Sequence, residues 1–472
     1  MRSTKKKLIL PVLVVSALLA AACGGDDDSS SDATNAPDAT DAPDGTDAPD
    51  GTDAPDATDA PASGLEGTLR VLIHQNPPMV AFMENFNDEF EANNPGVSID
   101  MSIVEANDLP TANQTRLTAN DIDVTTITVT GFANPVQPYM TDVDAPYWQQ
   151  LIEAGLLMDL SDQPFVSNYD EAAIAEGGSF DGSVYSLNLG RTTYSGMFVN
   201  LDLLAEVGVD VPTTWGELVA ACPVIEDAGY KCMIAGGADG WPVFVGSYGL
   251  LGALYPDQQG LVEGLWTGTA KWNDEQGLQL FERYKMFADM LDAESAGLGG
   301  DAAAQRYLAG DVAFGPMGGW NAGVMEPAEG TGAEFEWSYI PFPGSDNAAD
   351  NQTLFGKYDQ GWAVAANTPV KDLAMAYLAA FSDTDNYNAF ANAVNFLPTQ
   401  PTATLDSIMG RSVAPILQAG NFTVGYEQWF VGPTGAGQNA NGSQAALWFY
   451  NGDFDDPVAA ADKSQADLDS GL

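Results

Sequence analysis

Residues 68–73, TLRVLI, read as a short apolar strand, and the stretch after them places Val80, Phe82, Met83, Phe86 and Phe90 at helical spacing before an Asn-Pro-Gly stop. VSIDMSIV then alternates like a strand, LPTANQTRLTAN reads as helix and DIDVTTITV as a further strand. Strand and helix in strict alternation predict a parallel sheet with helices on its faces, whose ligands lie at the carboxyl ends of the strands. A second series follows. TTWGELVAACPVIEDAG predicts a helix capped by Thr213 or Thr214, and KCMIAGG a strand. DEQGLQLFERYKMFADM is an amphipathic helix, QRYLAGDVAFGPM a helix end plus strand, and GWAVAANTPVKDLAMAYLAAFS a strand, turn and helix. Two α/β units are therefore expected, with more than one segment running between them.

The pattern changes upstream of residue 65. Arg2 and Lys5 to Lys7 precede an apolar run over residues 8–22, the length of a signal-peptide core and short for a membrane-spanning helix. The run ends in LAAAC, which looks like a lipoprotein signal, so residues 1–22 are expected to be removed and Cys23 to carry lipid. Residues 23–64 hold almost no side chain larger than alanine that could enter a core, with proline at 37, 43, 49, 55 and 61. Such a segment stays solvated, and at full extension it reaches on the order of 130 Å. It reads either as a tether through a surface layer or as a linker with no length requirement.

Formal charge is −50, from 16 Lys and Arg against 66 Asp and Glu. Four of the bases lie in the first seven residues and twelve of the acids within 24–64, which leaves −42 on the remainder. Nucleic acid, anionic membrane surfaces and phosphorylated ligands are poor partners for that body. Cys222 and Cys232 are close in sequence, and in an exported protein the pair is expected to be a disulfide. The one histidine, His74, stands without companion ligands, so neither a metal site nor a Ser-His-Asp centre is expected, and His74 itself reads as a solvated loop residue.

The order of motifs resembles the extracellular solute-binding proteins of ABC importers, in particular the sugar-binding group around the maltose-binding protein. The carriers are NNPGVSIDMSIV, RLTANDIDVTTI with Asp123 in the family's aspartate position, FDGSVYSLNLGRTTYSGMFVNLDLLAEVGVDVPTTWGEL, YLAGDVAFGPMGGW and GWAVAANTPVKDLAMAYLAAF. Ile122, Asn188 and Val199 depart from the family's usual residues. The resemblance implies a two-lobed α/β fold of the periplasmic-binding-protein type (type II), each lobe a sheet flanked by helices, with the ligand cleft between the lobes. Residues 65–190 and 362–397 would form the first lobe, and 191–361 and 398–472 the second.

A sugar presents a C–H face and a rim of hydroxyls, so its site needs aromatic platforms and polar side chains. Trp320, after the bare turn GPMGG, sits where the family places a stacking tryptophan. Asp239 beside Trp241 sets an acceptor next to a ring in a glycine-rich loop. Arg191, Thr193 and Tyr194 fall on the first crossing between lobes, and Gln360 and Trp362 on the second. Arg191 could serve a ligand or pair with a carboxylate, and Trp362 could be a cleft or a core residue. Asn76 and Thr130 follow the first and third strands. Trp215 is expected to pack the start of its own helix.

The resemblance implies a lipid-anchored, monomeric binding protein on the outer face of the membrane. It would pass a small solute, a neutral sugar or oligosaccharide, to the membrane subunits of an ABC permease driven by a separate ATPase. No cofactor and no catalytic residue is implied, and no nucleophile elbow or P-loop occurs in the sequence. A tethered surface lectin, or the same transport role with another solute, are the alternatives.

Overall fold

The computed structural model describes residues 64–127, 136–327 and 330–472. Cys23 and Thr130 lie outside them. Among the described residues the strands are, in chain order, β1 Gly67–His74, β2 Val97–Val104, β3 Val124–Ile127, β4 Ser179–Phe180, β5 Ser183–Val184, β6 Leu187–Asn188 and β7 Arg191–Thr193. There follow β8 Gly196–Asn200, β9 Lys231–Met233, β10 Val312–Gly315, β11 Trp337–Pro341, β12 Leu354–Tyr358, β13 Gly361–Val364 and β14 Phe422–Val424. They assemble into a five-stranded sheet β2-β1-β3-β13-β6, a four-stranded sheet β11-β8-β10-β9, a three-stranded sheet β14-β12-β7 and the hairpin β4-β5.

The first sheet follows from the opening alternation. β1 pairs in parallel with both β2 and β3, each crossover being a helix, Pro77–Asn93 or Leu109–Thr118. Because helices cover both faces, β1 is apolar on both. Leu69, Val71 and Ile73 join the core that holds Phe86, Phe90, Tyr377 and Phe381. Leu72 faces the opposite way, toward Leu109, Leu117, Trp148 and Leu151. Buried Asp123, at the head of β3, ties the layers together by accepting from the Arg70 backbone N–H at 2.9 Å, from Arg70 Nε and Nη2 at 2.8 Å, and from the Thr368 hydroxyl at 2.8 Å. Burial pushes this carboxyl up, but the Arg70 and Thr368 donors hold it below the ordinary aspartate value.

The second unit is built around β8 to β11 and a larger core. The helix Trp215–Asp227 begins with a capping box in which Thr214 accepts from Glu217 N–H and the Glu217 side chain reaches back, so Thr214 rather than Thr213 is the cap. Cys222 and Cys232 are bonded and join this helix to β9. Trp215 packs here, under the Arg283 guanidinium 5.7 Å from its ring. Trp266, Trp272, Trp337 and Trp448 are all core residues. The helix Trp241–Leu254 is apolar nearly all round and accordingly buried on almost every side. No helix among the described residues is long and apolar enough to cross a membrane.

Candidate ligand site at the chain crossings

The chain leaves the five-stranded sheet after β6 and enters the three-stranded sheet at β7; it returns from β12 to β13. The two crossings run side by side, Leu189 N–H donating to Gln360 O at 2.8 Å and Asp359 N–H to Gly190 O at 3.0 Å. A third segment joins them where Arg191 and Leu397 exchange backbone hydrogen bonds of 2.8 and 2.9 Å. Three adjacent, mutually bonded crossings make a seam, and the side chains at it are constrained by strand parity.

In the antiparallel register of β12 with β7, Lys357 lies opposite Thr192 and Tyr358 opposite Arg191. Opposed residues share a face, so Thr192, Tyr194, Lys357 and Asp359 fall on one side of the seam and Arg191, Thr193, Tyr358 and Gln360 on the other. On the first side Lys357 Nζ stands 3.9 Å from Asp359 and 3.8 Å from Glu427. The same ammonium lies 5.9 Å from the centroid of the Trp320 ring. Burial raises the Asp359 carboxyl, and Lys357 and Thr192 only partly offset it. Burial raises Glu427 as well; Lys357 and the Tyr248 hydroxyl oppose the shift and Asp359 adds to it. The Thr192 hydroxyl is near Asp359 yet makes no hydrogen bond of normal geometry, and it and the Tyr194 hydroxyl are buried without partners.

The bare turn before Trp320 has a steric cause. The indole folds back over its own chain, so a Cβ on Gly318 would collide with the six-membered ring, and one on Gly319 would press on Thr193 and Met409. Trp241 meets Trp320 with ring centroids 6.2 Å apart and planes at 41°. It stands first in its helix, behind Gly240, whose φ of +75° is costly for other residues. Trp241 retains 39% of its surface, unusual for a residue of this size. Two inclined indoles beside a lysine and two carboxylates can stack a ring, accept hydroxyl protons and discriminate charge.

The remaining sequence candidates have other duties. Asp239 accepts from Gly300 N–H at 2.8 Å, tying down the loop under Trp241. Arg191 donates to Pro398 O at 2.7 Å, stands 3.8 Å from Asp170 and lies over Phe422, so its carboxylate-pairing alternative is the one observed. Thr193 donates to Phe355 O at 3.1 Å on the far face. Tyr194 is a core ring 4.9 Å from Tyr248. Asn76 caps the following helix by accepting from Met79 N–H at 3.1 Å.

One open alternative is decided and one expectation needs correction. Trp362 is fully buried with its ring edge-on to Tyr377 and Phe381, because both faces of this sheet are covered by helices and its side joins the core of Tyr377 and Phe381; it is a core residue. His74 is not a solvated loop residue but the buried last residue of β1, 3.1 Å from Gln360 Nε2. Desolvation lowers its pKa to about 4, with Lys357 contributing in the same direction. A surface groove of 620 Å³ lined by Val166, Tyr169, Ile174 and Phe180 lies at the β4-β5 hairpin. No group of three metal-ligating side chains occurs among the described residues.

The sequence profile described as bacterial extracellular solute-binding protein matches residues 75–387. No curated protein gives a significant sequence match. Among solved structures, a chitin oligosaccharide binding protein aligns with a TM-score of 0.68 at 18% identity, covering 86% of this chain and 99% of its own. The GacH receptor of Streptomyces glaucescens, solved unliganded and with acarbose, gives 0.62 at 19%, covering 86% and 100%. A sugar transporter from Bacillus licheniformis in complex with stachyose gives 0.64 at 15%, covering 85% and 99%. At these identities the likeness is one of fold, a two-lobed α/β architecture with sheets flanked by helices.

Proposed function

The chain belongs to the bacterial extracellular solute-binding protein family, whose members bind rather than transform their ligands, and from that premise we propose that it captures a sugar or oligosaccharide for import by an ABC permease. The observation that carries this reading is the inclined pair Trp241 and Trp320 beside Lys357, Asp359 and Glu427 at the seam. An aromatic face for the C–H side of a ring and carboxylates for its hydroxyls are the two things a saccharide requires. The ligands of the proteins with similar folds, chitin oligosaccharide, acarbose and stachyose, support the same class.

In this reading residues 65–190 with 362–397 form one lobe and 191–361 with 398–472 the other. Solute enters while they are apart, and closure follows because the closed form makes contacts the open form lacks. The closed form docks on permease subunits driven by a separate ATPase. Lipid on Cys23 holds the protein at the outer face of the membrane, and residues 24–64 let the lobes range from it.

Calorimetric titration of the full chain with chitobiose, raffinose, stachyose and maltose, with tryptophan fluorescence in parallel, tests the reading. Saturable heat with one of them, together with a fluorescence change, supports it. Heat only with peptides or amino acids would retain the family and overturn the sugar.

A further inference from the structure

The charge at the seam does not balance. Lys357 is shared by Asp359 and Glu427 at 3.9 and 3.8 Å, both beyond hydrogen-bonding reach. Other pairs of this protein are tighter, as with Lys231 and Asp292 or Arg283 and Asp346, each at 2.8 Å, although Arg191 and Asp170 are as far apart at 3.8 Å. Two carboxylates against one ammonium leave a negative charge in excess, on side chains that retain only 11% and 21% of their surface. An unbalanced charge withdrawn from water is costly until a cation or a proton meets it.

Two further observations mark this as a place for a ligand. Tyr194, 1% exposed, has a buried hydroxyl with no partner, and Thr192, 2% exposed on β7 opposite Lys357 and two residues along the same face, has one that leans on Asp359 without a hydrogen bond of normal geometry. Buried hydroxyls in folded proteins are ordinarily paired, so these mark hydrogen bonds still to be made. Separately, the Trp320 face already lies 5.9 Å from one ammonium and meets the exposed Trp241 at an angle, an arrangement whose π faces attract cations. The excess of acid over base across residues 65–472 adds a long-range field of the same sign.

We infer that the site is specific for a saccharide carrying a basic amine, whose ammonium lies between Asp359 and Glu427 while its ring stacks on Trp320. This rests on the sugar-capture reading and narrows it. A neutral sugar can donate hydroxyls to the same carboxylates but leaves the excess charge in place. Its amino counterpart removes it.

The test is a paired titration of the full chain with glucosamine, galactosamine and the glucosamine disaccharide against their hydroxyl and N-acetyl counterparts, with spermidine as a cation that is not a sugar. At a pH where the amines are protonated, at least one amino sugar should bind tenfold or more tighter than its neutral partners. The margin should shrink where the amine is neutral. In Glu427→Gln, and independently in Asp359→Asn, the ratio of amino to neutral affinity should fall toward one, with a thermal melt to confirm that each variant is folded. Equal or tighter binding of the neutral sugars overturns the inference and leaves sugar capture standing. Binding of spermidine alone overturns the sugar reading and the amino-saccharide with it, and silence across all the ligands overturns both.

Discussion

The five-stranded sheet and the seam beside it treat buried carboxylates in opposite ways. Within the sheet Asp123 is saturated by Arg70 and Thr368, and Asn113 both accepts from the Thr125 hydroxyl at 2.6 Å and donates to Thr126 O at 3.0 Å. At the seam Asp359 and Glu427 share Lys357 at 3.9 and 3.8 Å, neither ion pair within hydrogen-bonding reach. The first region ties its carboxylate down to hold layers together. The second leaves two carboxylates loosely paired, at a cost in stability, as a binding surface is expected to do.

Removing a partner from the saturated region should have the largest effect. Asp123→Ala leaves the Arg70 guanidinium only Asn120 O and Asp121 and takes the Thr368 hydroxyl's acceptor away, and a loss of about 3 kcal/mol in denaturant unfolding is expected. An unchanged midpoint would refute the structural role of that network.

Acid distinguishes the regions next. With its pKa lowered from 6.5 to about 4, His74 stays neutral in the fold while the unfolded chain takes up a proton below 6.5. Stability is therefore lost as pH falls from 6.5 to 4, by on the order of 3 kcal/mol from this residue. Asp359 and Glu427, whose carboxyls are raised, contribute the opposite slope. The difference between wild type and His74→Gln across that window isolates the histidine, and parallel curves would remove it from the account. Glu105 and Lys357 are the charges that face it.

At the seam itself, Trp320→Ala should leave the melt near that of wild type while weakening saccharide binding by about 2 kcal/mol, roughly thirtyfold. Equal affinity in calorimetry would strip Trp320 of its stacking role. The smallest effect belongs to a site remote from both regions. Thr214→Ala removes a helix cap and should cost about 1 kcal/mol with no change in affinity.

Much of the framework was legible because its signals are local. The alternation in residues 68–127 anticipates β1, β2, β3 and the helices between them, and Thr214 with Glu217 announces a helix start. Trp320 and Trp241, the rings of the proposed site, are marked by the glycine-rich turns that precede them. Lys357, Asp359, Glu427 and Thr192, which the proposal adds, carry no such local mark. Glu427 is 70 residues beyond Lys357 and reaches it only because β14 pairs with β12. Thr192 and Thr193 cannot be told apart by type; the register that sets Lys357 opposite Thr192 decides which hydroxyl faces the charge. Trp362 stayed open between cleft and core for a related reason, since nothing local says that both faces of its strand are covered by helices.

Periodicity, caps, turn glycines and charge are properties of neighbours along the chain, so the sequence alone determined the elements, their parallel start and the acidic character of the surface. Which strands pair, in what register, and which two carboxylates share one lysine depend on contacts between residues far apart in sequence. Those are settled only when the cores on both sides of the sheets close, because burial and strand parity together leave each side chain one face to occupy.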